Sequence, residues 1–386
     1  ATFVDRLHLA FAAARRGVQV DLLIDGWGSP DLSEGFYDGL RRAGVRVHVF
    51  EPVARWSRRL GMFRRMHRKL VVVDGRVAFV GGINFSIDHL REYGPLAKQD
   101  YAVRIEGPLV ERVHRFCLAN GGGSAGDDSP RRGIRRPRRE RADAAGAVAG
   151  ADAGGAIAAF VVRDNQRYRD DIERQYRMAL RLARRRAIVA NAYFFPGLRL
   201  LRELRRAARR GVEVHLVLQG MPDMPMVRTV ASLLYPPLLR AGVRIHEYCE
   251  RPLHGKVAAV DEVWATVGSS NLDPTSLALN LEANVVIRDP AFAGDLAARL
   301  MRLVREQCRE VRPEPSSPLG DRWARIRGFL VFHAVRYFPR LAAALPEQRP
   351  RIAVLGTDAA HTRAAPLVAQ RPAAPAPIAR TARAPE

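Results

Sequence analysis

Two histidine–lysine pairs stand out among the residues of this 386-residue chain that could do chemistry. His67 and Lys69 open one run, and His254 and Lys256 open a second, 187 residues later. Asp74, Gly81 and Asn84 recur in the same register as Asp261, Gly268 and Asn271. An imidazole is both a nucleophile and a proton carrier near neutral pH, and an ammonium two residues along a strand shares its face. Two such pairs facing one phosphodiester suit two-step in-line transfer. One neutral histidine attacks phosphorus; the other protonates the leaving alkoxide and then deprotonates the incoming alcohol. Lys69, Lys256, Asn84, Asn271 and Ser269 would then surround the non-bridging oxygens and carry the transition-state charge. This chemistry calls for no metal and no cofactor.

Each imidazole needs a partner to set its tautomer. Asp74 is seven residues from His67, roughly 23 Å along a strand at about 3.3 Å per residue, and so is badly placed to be that partner. Asp74 and Asp261 are therefore expected to matter through stability. Better carboxylates come from a second aligned pair of segments, Asp100 to Pro108 and Glu282 to Pro290, at a constant offset of 182. Asp100 and Glu282 are expected each to open a strand beside the hairpin and to orient a histidine. The unrepeated histidines, His8, His48, His89, His114, His215, His246, His333 and His361, are expected to be core or surface residues without a catalytic part.

The doubled His-x-Lys-x4-Asp-x6-Gly-x-x-Asn pattern resembles the phospholipase D superfamily. Arg64-Arg-Met-His-Arg-Lys69, Tyr93-Gly-Pro, Lys98 to Pro108, Arg251-Pro-Leu-His-Gly-Lys256 and Gly268-Ser-Ser-Asn-Leu-Asp-Pro274 are similar, more narrowly, to the bacterial cardiolipin synthase B type. The resemblance covers about residues 1–118 and 157–345. It implies an α/β fold of two similar halves, each a mixed β-sheet flanked by helices. The halves would be related by a pseudo-two-fold axis with the active site between them. It also implies a phosphohistidine on His67 or His254 and a phosphatidyltransferase making cardiolipin from phosphatidylglycerol. The alternative is a phosphodiesterase or nuclease acting on nucleic acid.

The elements that must position these residues follow from pattern. Apolar runs on either side of Asp74-Gly75 and Asp261-Glu262 predict two β-hairpins. The spacing predicts helices over Phe3–Arg16, Leu32–Arg42, Asp170–Arg186, Leu198–Arg209, Leu233–Arg240 and Phe292–Val311. Strands are predicted over Val18–Ile24, Val45–Phe50, Ala187–Phe194, Val212–Gln219 and Val243–Tyr248, with Gly17 and Gly44 ending the helices before them. The second half carries a helix and strand before Arg210-Gly-Val212 that have no counterpart before Arg16-Gly-Val18. By repeat symmetry about 40 residues of the first half are expected to be absent from this sequence.

The domain division reads as a first half over 1–118, a low-complexity linker over 119–156, a second half over 157–311, a basic aromatic amphipathic segment over 312–345 and a disordered tail over 346–386. A formal charge of +23 calls for a polyanion, either nucleic acid or an anionic membrane. Three widely spaced cysteines, Cys117, Cys249 and Cys308, form no disulfide or metal-binding pattern. No apolar run reaches the roughly 20 residues of a spanning helix, so the expected place is peripheral, on the cytoplasmic face of the cell membrane. Two segments suit an anionic phospholipid surface: the first-half insertion over 51–66, with Arg55, Trp56, Arg58, Arg59 and Phe63, and the later segment with Trp323 and Phe329. Phosphatidylglycerol is the expected partner, with no obligatory nucleic acid.

Overall fold

The computed structural model describes residues 4–29, 32–50, 65–120, 155–221, 228, 231–312 and 352–354. The first half begins with α1 (Val4–Arg15), β1 (Val20–Asp25), α2 (Glu34–Arg42) and β2 (Val45–Phe50). The hairpin β3 (Lys69–Val73) and β4 (Val77–Gly81) follows, then β5 (Ala102–Glu106) and α3 (Pro108–Asn120). The second half runs β6 (Ile157–Arg163), α4 (Asp171–Leu182), β7 (Arg186–Asn191), α5 (Leu198–Arg209), β8 (Glu213–Gln219), α6 (Tyr235–Leu239) and β9 (Arg244–Tyr248). It continues with the hairpin β10 (Lys256–Val260) and β11 (Trp264–Gly268), α7 (Pro274–Ala278), β12 (Glu282–Arg288), α8 (Pro290–Gln307) and β13 (Cys308–Glu310). A last strand, β14, covers Ile352–Val354.

The second half is one eight-stranded mixed sheet in the order β13-β9-β8-β7-β10-β11-β12-β6. β7, β8 and β9 are parallel, as helical crossovers require, and β10 to β12 run as an antiparallel meander. β7 is the hinge of this layout, pairing with β8 on one side and β10 on the other. Among the described residues the first half has no such strand between β1 and β3. Its strands accordingly form two three-stranded sheets, β1-β2-β14 and β3-β4-β5, where the resemblance implied one mixed sheet.

Apolar periodicity explains the helices that cover these sheets. In α5, Leu200, Leu201, Leu204 and Ala207 recur on one face and are all buried. Gly17, Gly44, Gly211 and Gly242 end the helices before β1, β2, β8 and β9, with φ of 89, 91, 89 and 91°. That left-handed cap favours glycine because it has no Cβ.

One core cluster joins the two halves. Ala78, Val80, Val103, Ile105 and Val113 of the first half pack with Phe160, Val257, Val267, Val285 and Leu300 of the second. The seam is therefore a shared hydrophobic layer, and it holds the two hairpins in a fixed relation.

Three elements end or continue differently from the pattern. The helix predicted to Arg186 stops at Leu182, because Ala183 is extended at ψ 134° and residues 184–186 turn their N–H groups onto Asp261. The helix predicted to Val311 stops at Gln307, and Cys308–Glu310 pair antiparallel with β9. Within the stretch expected to be disordered, Ile352–Val354 pair with β2 as β13 does with β9. Of the linker expected over 119–156, α3 takes residues 119 and 120, and 121–154 lie outside the described residues, as do the insertion residues 51–64 with Arg55, Trp56, Arg58, Arg59 and Phe63 and the segment with Trp323 and Phe329.

Candidate active site

His67 and His254 stand just ahead of β3 and β10, where each chain leaves a loop and enters a hairpin. The backbone fixes both against the opposite half. Leu281 N–H donates to the Arg65 carbonyl at 2.8 Å, and His67 N–H donates back to Leu281 at 2.9 Å. The same crossing recurs at the other histidine: Gln99 N–H donates to Pro252 at 2.9 Å, and His254 N–H donates to Gln99 at 2.8 Å. Leu281 and Gln99 each precede a carboxylate in sequence. The crossing therefore delivers Glu282 to His67 and Asp100 to His254.

The carboxylates thus serve in trans, each orienting the histidine of the opposite half. Nδ1 of His67 lies 3.0 Å from both carboxylate oxygens of Glu282. Nδ1 of His254 lies 2.6 Å from Asp100 Oδ2. An ionised carboxylate only accepts, so opposite one the imidazole donates from Nδ1 and keeps the lone pair on Nε2. Glu282 opens β12 as predicted, whereas Asp100 sits two residues ahead of β5.

The lysines lie beside the imidazoles. Lys69 Nζ donates to the His67 carbonyl at 2.8 Å. Lys256 Nζ donates to the His254 carbonyl and stands 2.8 Å from His254 Nδ1. Burial pulls Lys69 down to about 7 and Lys256 down to about 8, each opposed by Glu282 and Asp100. Burial also lowers His67, with Lys69 and Lys256 adding to the shift against Glu282. His254 falls well below its usual value through burial and the charges of Lys256 and Lys69. Charges from both halves thus act on one cluster.

The two carboxylates differ. Burial raises Asp100, whose donors are His254 and Tyr101 N–H. Burial pulls Glu282 the same way, but His67, Lys69 and Ser269 outweigh it and hold Glu282 below its usual range. Ser269 Oγ donates to Glu282 Oε2 at 2.5 Å and accepts from Ala283 N–H at 3.0 Å. This corrects the expectation that Ser269 faces a substrate phosphate, since it holds the acid instead. Gly82 occupies the corresponding place in the first half, where a Cβ would collide with the Asp100 carboxylate.

Asn271 is buried, and its side-chain oxygen has no partner among the described residues. Asn84 closes the equivalent return of β4 and is half-buried. Asp74 and Asp261 are not brought to the cluster. Both occupy hairpin turns at φ 51 and 52°, and Asp261 accepts from the backbone N–H groups of Arg184, Arg185 and Arg186.

Three residues at the site escaped sequence reasoning. Arg68 donates to the carbonyls of Glu282 and Arg163 and lies over the Phe116 ring, fastening β3 to the second half. Tyr101 packs so closely on Gly255 that a Cβ there would meet its ring at 2.8 Å. His89, expected to be a core or surface residue, is buried beside the cluster. Its side chain is 1% exposed, it lies 3.5 Å from Asp100 Oδ2, and its ring meets His254 edge-on at 4.9 Å. Unlike the other site histidines it has no repeat partner, so self-comparison of the sequence passes over it. His89, Asp100 and His254 bring potential ligand atoms within 4.8 Å of one another. The ammonium groups of Lys256 and Lys69 beside them oppose a resident divalent cation.

Comparison with known proteins follows the same geometry. The family described as "Cardiolipin synthase, PLD-like domain" matches residues 2–113 and 176–304, which are the two halves. Cardiolipin synthase B of Escherichia coli (strain K12) is 49% identical over 92% of this chain and 84% of its own length. Cardiolipin synthase A of Pseudomonas aeruginosa (strain LESB58) is 33% identical over 76% of this chain and 57% of its own. In fold, phosphatidylserine synthase of Haemophilus influenzae Rd KW20 superposes with a TM-score of 0.58 at 15% identity, covering 84% of this chain and 85% of that one. With two matching hairpins, a family match spanning both halves and close relatives over nearly its whole length, the chain belongs to the cardiolipin synthase family of phospholipase D-like proteins.

Proposed function

We propose that this protein is a phosphatidyltransferase that makes cardiolipin from phosphatidylglycerol. The observation that carries the reading is the pair of imidazoles, each held at Nδ1 by a buried carboxylate from the opposite half, with a lysine beside each. In the first step His67 Nε2 attacks phosphorus, forming a P–N bond as the P–O bond to the headgroup glycerol breaks. His254 gives that alkoxide its proton, and glycerol leaves. In the second step His254 takes the proton of a hydroxyl on a second phosphatidylglycerol. The freed oxygen attacks phosphorus and the P–N bond breaks, returning His67 and releasing cardiolipin. Lys69 and Lys256 carry the charge of the equatorial oxygens.

Two features support this division of labour. His67 is the more accessible imidazole, 25% exposed against 9% for His254, so a phosphatidyl group has room there. Its partner Glu282 is kept ionised, which supports the Nδ1–H tautomer that a nucleophilic Nε2 needs. In the protein alone His254 is held neutral by burial and two lysines. An arriving phosphodiester anion offsets those lysines and lets His254 carry a proton.

No helix among the described residues is long and apolar enough to cross a bilayer. The proposed setting is peripheral, on the cytoplasmic face, where the +23 charge draws the protein to an anionic leaflet. Incubation with phosphatidylglycerol vesicles tests the reading. Cardiolipin and glycerol in equal amounts support it, whereas inertness toward the vesicles with cleavage of single-stranded DNA supports a nuclease instead.

A further inference from the structure

The two carboxylates at the seam are not equally supported. Glu282 receives the Nδ1–H of His67 and the hydroxyl of Ser269. Asp100 receives His254 on Oδ2 and Tyr101 N–H on Oδ1, and the place equivalent to Ser269 is Gly82, which offers no side-chain donor. A buried carboxylate with an acceptor site to spare is costly, because each unmet lone pair has lost its water.

His89 lies against that spare site. It comes from a short 3-10 turn, Ile87–His89, in the loop between β4 and β5. Neither ring nitrogen has a hydrogen-bond partner among the described residues, although the side chain is almost wholly buried. A buried imidazole with two unmet nitrogens is itself unfavourable. Its Nδ1 stands 3.5 Å from Asp100 Oδ2, a few tenths of an ångström beyond the usual hydrogen-bond range, and its ring supports His254 edge-on. Two unsatisfied groups facing each other beside a reacting histidine call for one explanation.

We propose that His89 is a positioning residue, whose Nδ1–H closes onto Asp100 Oδ2 when His254 takes up charge and so keeps that carboxylate aimed at the His254 imidazole. The proposal rests on the reading that His254 moves the proton in transfer. His89 does for Asp100 what Ser269 does for Glu282, from a 3-10 turn whose place in the second half is taken by α7, with Ser276 where His89 would be. Burial keeps His89 neutral, so that it donates without adding a cation. The other charged groups that bear on Asp100 and His89 are Lys256 and His254 from the β10 side, Lys69 from β3, and Asp88 and Lys98 from the same loop.

The test compares three variants on phosphatidylglycerol vesicles across pH. His89→Phe keeps an aromatic ring against His254 and removes the donor. His89→Asn returns an N–H at the place of Nδ1, and His89→Gln returns one at the place of Nε2. With the donor gone, the Asp100 carboxylate is less stabilised and protonates at higher pH. His89→Phe is therefore expected to lose roughly 10-fold or more in kcat with little change in KM, and to move the acid limb of the kcat profile upward. His89→Asn is expected to recover most of the rate and the original limb, and His89→Gln is not. If His89→Phe does not fold, the contrast between Asn and Gln still decides. Equal rates for Asn and Gln, or an unmoved acid limb in His89→Phe, would overturn the proposal. Wild-type turnover in the same assay tests the transfer reading separately, since its failure would appear before any variant is compared.

Discussion

Asp100 crosses the seam between the two halves to place its Oδ2 2.6 Å from Nδ1 of His254, and Glu282 crosses the other way to His67. Neither half holds a complete histidine–carboxylate pair. The site exists only where both hairpins are docked, which links the shared core to the chemistry.

The crossing makes the effects of the acids separable. Asp100→Asn is expected to disturb the tautomer of His254 and leave His67 as it is, and Glu282→Gln the reverse. Nitrogen-15 spectra of histidine-labelled protein read this directly. Each variant should lose roughly 10- to 100-fold in kcat, the usual cost of losing a carboxylate behind a working imidazole. A change confined to the histidine of the same half would contradict the crossing.

The lysines predict an alkaline limit. With Lys69 near 7 and Lys256 near 8, raising pH through that range removes the charges that meet the phosphodiester. kcat/KM, which reports the free enzyme, should fall from about pH 7 upward, while kcat holds to higher pH because bound anion keeps the lysines charged. A kcat/KM profile flat to pH 9 would refute this.

Asp261 should behave as a structural residue. Its carboxylate ties the turn of the second hairpin to the N–H groups of residues 184–186 ahead of β7. Asp261→Ala is expected to cost about 1 to 3 kcal/mol and lower Tm by several degrees. Turnover of the folded fraction should stay within about twofold of wild type, measured well below Tm.

Gly255 reports on the seam itself. An added Cβ meets the Tyr101 ring at 2.8 Å, so Gly255→Ala must push the first half away from His254. Overpacking of this kind typically costs about 1 to 3 kcal/mol. Because Tyr101 follows Asp100 directly, kcat should drop together with stability. Tyr101→Ala in the same chain should restore both in part, whereas strict additivity of the two losses would argue against a shared contact.

Both hairpins were legible in the sequence because apolar alternation and a turn residue are local signals, and because a motif seen twice confirms its own register. Glu282 and Asp100 were legible as partners of the histidines through the second offset and the length of a strand. Their crossing was not. It is set by backbone bonds of Arg65 with Leu281 and of Gln99 with Pro252, which no pattern inside one half encodes. His89 was passed over because it is unrepeated: it sits on a 3-10 turn whose place in the second half is taken by α7. The end of α8 was misread for a similar reason: nothing in Cys308-Arg309-Glu310 breaks a helix, and the edge of β9 draws it into a strand. Ser269 was placed near the chemistry correctly but given the wrong neighbour, since sequence does not say which way a hydroxyl turns.

The proposed transfer passes through a covalent phosphatidyl–histidine in a site completed by both halves. Protein mixed with phosphatidylglycerol carrying phosphorus-32 and quenched in alkali within one turnover tests it most directly. The account predicts acid-labile, alkali-stable label on the peptide containing His67. It predicts none in His67→Ala, and trapped label in Glu282-competent protein whose His254 is replaced by a non-protic residue when the leaving group is activated. Steady cardiolipin synthesis with no labelled histidine at any time point, or equal turnover by His67→Ala, would contradict it.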